Sequence, residues 1–264
     1  MMKMEIEMQN ETKNVICIKW GTYYKPKYVN NLYHSVKRNT KYNINFYCIT
    51  DDGEGLDPEI IVKPLPIMNV PVLKYAYQKE AGLCEDNLCG LNGQRVLYFD
   101  LDTVIVDNID CFFEYPEGDK FYIINDWNTI GNSTGQASCY SFVVGTLGYV
   151  KEYFEQHSEE VYEKFYTASQ EYLSSKVIEK YGKLNFWPDS WSRSFRFHCL
   201  PTPYIPFLRR FKMATIPHGA KIICFHGRPK LEDAIIGHWK ESNPWKRFWY
   251  KHLKPVKWIE EYWK

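Results

Sequence analysis

Two aspartates, Asp100 and Asp102, flank a single leucine directly after the apolar run Val96, Leu97, Tyr98 and Phe99. In an open α/β sheet, ligands bind beyond the carboxyl ends of the strands. Carboxylates placed there supply hard oxygen donors to Mg²⁺ or Mn²⁺, which also takes phosphate oxygens. The bland alternative is a pair of turn or capping carboxylates. A second apolar run, Ile222 to Phe225, leads into His226, Gly227, Arg228, Pro229 and Lys230. A neutral imidazole joins carboxylates readily around Mn²⁺. Gly227 permits close backbone approach, and Lys230 can set a point charge on a phosphate. Taken singly, His226 reads as an ordinary loop histidine. Taken with Asp100 and Asp102, it completes a cation–diphosphate site.

The elements that must position these residues are legible from periodicity. Asn14–Trp20, Ile44–Thr50, Glu59–Lys63 and Arg95–Phe99 read as strands. Val29, Leu32, Tyr33 and Val36 fall at helical spacing, giving a helix over Lys27–Asn39, and Val72–Leu83 also looks helical. Strands alternating with helices indicate an α/β fold with a mainly parallel, Rossmann-like central sheet flanked by helices. Beyond Asp110, Phe121–Asn125 and Ser141–Val144 read as strands around a polar loop, Trp127–Gln136. Lys151–Tyr166 and Gln170–Tyr181 read as helices, Pro188–Pro206 as irregular, and Lys221–Phe225 as a last strand. The expected organisation is one domain over residues 1–237, with a helical tail over 238–264.

The chain has 264 residues and a net charge of +1, which argues against a whole-chain nucleic-acid binder. That total is uneven: residues 1–237 carry −3 and the tail +4. Aromatic residues make up 17% of the chain, and five of the nine Trp lie in the tail. Rings of this kind line sugar or base pockets or fill a bulky core. Trp245, Phe248, Trp249 and Leu253 share one helical face, and Ile259, Tyr262 and Trp263 form another. A basic, aromatic, amphipathic tail suits an anionic membrane surface; the alternative is packing of these rings onto the domain. No apolar run is long enough to span a bilayer, and Met1–Lys13 is polar without a leader-like core. The eight Cys lack four-ligand zinc spacing. A reduced cytoplasmic chain, peripheral at the inner face of a membrane, is the expectation.

Three segments resemble the nucleotide-sugar glycosyltransferases of the GT-A fold, nearest to glycogenin and the bacterial family 8 enzymes. They are Trp20–Tyr24 with Tyr28 and Val29; Leu97–Val106, which contains Asp100-Leu101-Asp102; and Phe225–Lys230. Thr50, Asp51 and Asp52 agree as well, as do Asn108–Asp110 before Phe112 and Phe113. The resemblance runs from Val15 to Lys230. It implies a single GT-A-like domain and a Mn²⁺- or Mg²⁺-dependent hexosyltransferase. The implied donor is a nucleotide sugar, most naturally a UDP-sugar, and transfer retains anomeric configuration. A glycan, lipid-linked or protein acceptor is implied, in polysaccharide biosynthesis.

The same resemblance assigns roles to residues. Asp102 is the main metal ligand, Asp100 its partner reaching metal and ribose, and His226 the third ligand. Gly227 and Lys230 hold the diphosphate. Tyr24, with Thr22, packs on the base; Lys74 lies near the phosphates; Gln170 lies at the sugar. Two positions depart from the pattern: Ser169 stands where relatives often have Asp, and Ser138 where they often have Asn. Other residues have local readings: Asp110 as a helix cap, Asp107 as solvated and Asp126 as a turn residue. Asp189 and Trp191 sit in a loop anchored by aromatics or one that meets an acceptor. Two rival functions stand beside this one. Asp100-x-Asp102 after a strand also fits a haloacid dehalogenase-like phosphatase, with the first Asp as nucleophile. The departures at Ser138 and Ser169 fit a non-catalytic module that binds nucleotide sugars.

Overall fold

The computed structural model describes residues 11–74, 76–127, 134–201, 206–240, 243–249 and 251–264. They form two compact units. The first comprises the described residues within 11–29, 41–101 and 110–187; the second comprises those within 30–40, 102–109 and 188–264. The boundary expected after Gly237 does not coincide with a unit boundary, and the tail groups with the second unit.

The first unit holds a seven-stranded sheet of β1 (Thr12–Lys19), β2 (Asn43–Thr50), β3 (Ile61–Lys63), β4 (Arg95–Phe99), β6 (Tyr122–Asn125), β7 (Gly135–Val143) and β8 (Asn185–Phe186). Their order across the sheet is β3-β2-β1-β4-β7-β6-β8. Pairing is parallel from β3 through β4 and between β6 and β8, and antiparallel where β7 meets β4 and β6. This is the mixed, mainly parallel α/β sheet that the alternating pattern implied. Alternation along β4 divides its side chains between two faces. Val96 and Tyr98 join the core built with Tyr77, Phe154, Tyr172 and Leu173. Phe99 meets Phe112 edge-on at 6.2 Å, and Phe112 meets Trp187 at 5.0 Å.

In the second unit, β5 (Thr103–Ile105), β9 (Ser192–Ser194) and β10 (Ile222–Cys224) form a three-stranded sheet in the order β5-β10-β9. Here β10 runs antiparallel to β5 and parallel to β9. A π-helical turn, Phe195–Cys199, follows β9, where the sequence suggested irregular chain. Phe195 stacks on Phe225 with centroids 4.4 Å apart.

Helix α1 (Pro26–Arg38) ends within a residue of expectation and buries Val29, Leu32, Tyr33 and Val36. The helix expected over Val72–Leu83 is shorter: α2 is Ala76–Glu80, followed by a 3₁₀ turn at Gly82–Cys84. Two prolines, Pro66 and Pro71, precede it, and Gly82 supports helix poorly. After the short α3 (Cys111–Glu114), the helix expected over Lys151–Tyr166 divides at His157 into α4 (Gly148–Gln156) and α5 (Ser158–Phe165). Next, α6 (Ser169–Tyr181) stops at left-handed Gly182. Strand β7 starts six residues earlier than its apolar pattern suggested, because Gln136 and Ser138 are buried polar residues within it. Part of the Trp127–Gln136 loop, residues 128–133, lies outside the described residues.

The tail divides by use. Helix α7 (Leu231–Ile236) ends at Gly237, whose φ is +70°. A Cβ at Gly237 would lie 2.5 Å from the Pro255 backbone nitrogen, so this glycine also admits the returning chain. Val256 N–H donates to Ala234 C=O at 3.0 Å. Trp239, Val256, Ile259 and Trp263 are buried. Asn31 donates to Trp263 C=O at 3.1 Å, Ser35 and Arg38 donate to Tyr262 C=O at 3.0 Å, and Trp258 donates to Ala214 C=O at 3.1 Å. These rings therefore pack on the second unit, as the alternative reading held. Around α8 (Pro244–Trp249) the opposite is found: Trp245 is 72% exposed, Phe248 48% and Trp249 39%. Leu253 lies beyond α8, and the last helix, α9, spans Lys257–Tyr262. None of the eight cysteines is in a disulfide. Among the described residues no helix is long and apolar enough to cross a membrane.

Candidate active site

Asp100 is fixed by continuation of the β4–β7 ladder, its N–H donating to Ser138 C=O at 2.9 Å. Two residues back on the same face, the Tyr98 hydroxyl donates to Asp100 Oδ1 at 2.7 Å. The Lys79 ammonium donates to the same oxygen at 2.8 Å, and also to Ala137 C=O at 3.1 Å. Its remaining close partner is Glu80 Oε1 at 3.1 Å. Burial works to discharge Lys79, but Asp100 and Glu80 outweigh it and raise its pKa above the ordinary lysine value. Burial raises the Glu80 pKa above the usual carboxylate value, with Asp100 adding to the shift and Lys79 opposing it. Burial, reinforced by Asp100, also holds the Tyr98 phenol well above its ordinary value.

Gln170 lies at the start of α6, and its Oε1 accepts from Ala137 N–H at 3.3 Å. Lys79 and Gln170 thus bind opposite ends of one strand residue in β7. Ser169, the position that departs from the expected Asp, donates through Oγ to Glu80 Oε2 at 2.9 Å. A carboxylate therefore stands at Ser169 after all, contributed by α2. Ser138, the other departure, is buried and clamped by the Gln136 amide, which donates to Ser138 Oγ at 2.7 Å and accepts from its N–H at 3.0 Å.

Lys74, expected near phosphates, has its ammonium over the rings of Tyr162 and Tyr166, at 4.2 and 4.4 Å from their centroids. The basic residue that the structure places beside Asp100 is Lys79. Tyr24 packs edge-on against Tyr23 and Tyr28, both at 4.9 Å. Thr22 lies in the turn after Gly21, whose N–H donates to Asp51 Oδ2 at 2.9 Å.

The second unit contributes Asp102, 8% exposed. Its C=O accepts from Phe225 N–H at 3.1 Å, which extends the β5–β10 pairing and sets His226 one residue beyond. Asp102 Oδ2 is 3.5 Å from the Lys230 ammonium. His226 Nε2 and Ser194 Oγ are 2.7 Å apart. Gly227 has φ of +70°, with no atom within 4 Å of an ideal Cβ, so it serves the turn and leaves open space. Lys230 caps α7, its N–H donating to Asp233 Oδ2 at 3.1 Å.

Asp107 is exposed, as the solvated reading held, and Lys221 pairs with it at 2.6 Å and draws its pKa below the usual carboxylate value. Asp110 occupies the cap position of α3, but its carboxylate accepts from Lys41 N–H at 3.1 Å. Asp126 is buried, with its N–H donating to Thr134 C=O at 3.2 Å.

Among the described residues, no group of three His, Cys, Asp or Glu side chains is gathered as a metal ion would require. Asp100 and Asp102 have ammonium partners, and His226 has a hydroxyl. The donor chemistry, two hard carboxylates and one imidazole, still suits Mn²⁺ or Mg²⁺. Lys79, Glu80, Tyr98, Gln136 and Ser194 were not identified from sequence. Lys79 and Glu80 alone had a signal there, as adjacent opposite charges in a segment that otherwise reads as buried helix.

No family model and no curated protein matches the chain by sequence. Solved structures do match by shape. The galactosyltransferase LgtC, solved with donor and acceptor sugar analogues, is 13% identical, with a TM-score of 0.55 over 83% of this chain and 88% of that one. The bifunctional glycosyltransferase WbbM is 14% identical, with a TM-score of 0.53 over 83% of this chain and 46% of that one. An active-site mutant of LgtC is 11% identical, with a TM-score of 0.51 over 89% of this chain and 99% of that one. The fold is therefore GT-A-like, the fold these structures share with this chain.

Proposed function

We propose that this chain is a metal-dependent glycosyltransferase that moves a hexose from a nucleotide sugar, a UDP-sugar first, to a glycan, lipid-linked or protein acceptor with retention. The observation that carries the reading is Asp100 at the carboxyl end of β4, an inner strand of a GT-A-like sheet, with Asp102 two residues on. Asp100, Asp102 and His226 would hold the cation. A divalent cation supplies Lewis-acid stabilisation of the diphosphate leaving group. Lys230 adds fixed positive charge where negative charge develops, and Gly227 leaves room for the diphosphate. Tyr24 and Thr22 receive the base, with Lys74 as a further phosphate contact. Gln170 offers its amide to the sugar, whose anomeric carbon becomes oxocarbenium-like.

The test is hydrolysis and transfer over a panel of UDP- and GDP-sugars, with and without Mn²⁺. The expected result is Mn²⁺-dependent release of UDP from at least one donor. Phosphate release from simple phosphoesters without donor turnover would favour the phosphatase. UDP binding without turnover of any donor would favour the binding module.

The membrane proposal narrows to α8. Residues 206–214 and 243–254 contain no Asp or Glu and seven Lys or Arg. A groove of about 540 Å³ is lined there by Arg210, Pro244, Trp245, Phe248, Trp249 and His252. Exposed rings in a segment rich in basic residues match an anionic lipid surface. Deleting the tail would also remove its buried rings, so the sharper variant is Trp245→Ala/Phe248→Ala/Trp249→Ala. Wild type is expected to sediment with phosphatidylglycerol vesicles, and the triple variant to stay in the supernatant. Equal, negligible sedimentation of both would sink the membrane proposal.

A further inference from the structure

Among the described carboxylates that the proposed chemistry leaves unused, Glu80 is the most deeply buried. Glu80 is 4% exposed, at the C-terminal end of α2, and a buried charge persists only when paired and hydrogen-bonded. Both of its oxygens are engaged: Oε1 with Lys79 at 3.1 Å, and Oε2 with the Ser169 hydroxyl at 2.9 Å. An ammonium has three N–H donors. Those of Lys79 are matched by Glu80, Ala137 C=O and Asp100 Oδ1. With its three donors matched in this way, Lys79 is held against Asp100. Ser169 belongs to α6 and precedes Gln170, which accepts from the N–H of that same Ala137. Asp100 and Gln170 are therefore joined through one chain of contacts whose anchor is Glu80.

We infer that Glu80 is a positioning residue: through Lys79 it fixes the orientation of Asp100, and through Ser169 it fixes the helix start that carries Gln170. The inference rests on the proposed transferase reading for its kinetic consequence, but not for the clamp itself. Groups that orient a ligating or reacting side chain typically cost about 10- to 100-fold in activity when removed. Because Glu80 and Ser169 act as one unit, their effects should not add.

The experiment uses the full chain and four variants, Glu80→Gln, Glu80→Asp, Ser169→Ala and Glu80→Gln/Ser169→Ala. With the best donor of the panel, Glu80→Gln is expected to lower kcat about 10- to 100-fold with the donor KM within about twofold. Ser169→Ala should cost about threefold, as befits one lost hydrogen bond. The double variant should be no slower than Glu80→Gln, and Glu80→Asp should recover part of the loss. A readout independent of turnover is acylation of Lys79, followed by peptide mass spectrometry. Lys79 should be protected in wild type and acylated several-fold faster in Glu80→Gln. Wild-type kcat in Glu80→Gln, or additive losses in the double variant, would overturn the inference. So would equal acylation of Lys79 in wild type and Glu80→Gln. If wild type turns over no donor, the transferase reading fails while the acylation result still decides the clamp.

Discussion

Replacing Asp102 with Ala is expected to lower Mn²⁺-dependent donor turnover by about 10³-fold or more while leaving the protein folded. A ligated cation stabilises a developing diphosphate charge by several kcal/mol, and each 1.36 kcal/mol is about tenfold in rate. The fold should tolerate the change because what Asp102 gives the second unit is mainly backbone. Its C=O accepts from Phe225 N–H at 3.1 Å, and that bond survives truncation of the side chain. One side-chain partner, Lys230, is a quarter exposed and can be rehydrated when the carboxylate is gone. The melting temperature should therefore stay within roughly 4 °C of wild type, the shift of about 1 kcal/mol in a chain of this size. Asp102→Asn, which keeps the shape and removes the charge, should be nearly as inactive. The measurement is UDP release with and without Mn²⁺, alongside a thermal melt. Unchanged Mn²⁺-dependent turnover in Asp102→Ala would refute the assignment of Asp102 as a ligand.

Tyr77→Ala is expected to have the largest effect on stability, about 3–5 kcal/mol, as for other large buried rings cut to a methyl group. Tyr77 is fully buried in α2. Its ring stacks on Phe154 at 4.7 Å with planes 6° apart, and meets Tyr162 at 5.2 Å and Tyr172 at 5.8 Å. Those neighbours come from α4, α5 and α6, so the cavity opens where three helices meet the sheet. Tyr77→Phe should be far milder, about 1 kcal/mol or less. It forfeits only the hydroxyl bond to Tyr166 C=O, which is long at 3.3 Å. Lys79 and Glu80 follow Tyr77 in the same short helix, so Tyr77→Ala should also loosen the hold on Asp100. Urea unfolding of both variants checks this. A loss below about 1.5 kcal/mol for Tyr77→Ala would mean that the four rings are not the tight cluster the structure describes.

Strand and helix alternation was legible because β1, β2 and β4, buried on both faces, leave short continuous apolar runs, while α1, buried on one face, leaves a period of 3.6. The Asp100-Leu101-Asp102 motif was legible for the same reason: an apolar strand announces its own carboxyl end. Local pattern failed where tertiary packing overrode it. Gln136 and Ser138 look like loop residues, yet they satisfy each other inside β7 and let a buried strand carry polar side chains. The two apolar faces of the tail look alike in sequence. In the structure Gly237 admits the returning chain at Pro255, and Trp263 is buried while Trp245 is left in solvent.

By itself, the sequence determined the α/β layering and marked both strand ends, Asp100–Asp102 and His226–Lys230, as places for chemistry. The tertiary structure decided what holds those residues. Lys79 lies 21 residues from Asp100 and 58 from Ala137, and Ser169 lies 89 residues from Glu80. Such pairs leave no periodic trace. They follow from where the fold sets α2, β7 and α6, in an interior where each buried charge must find its partner.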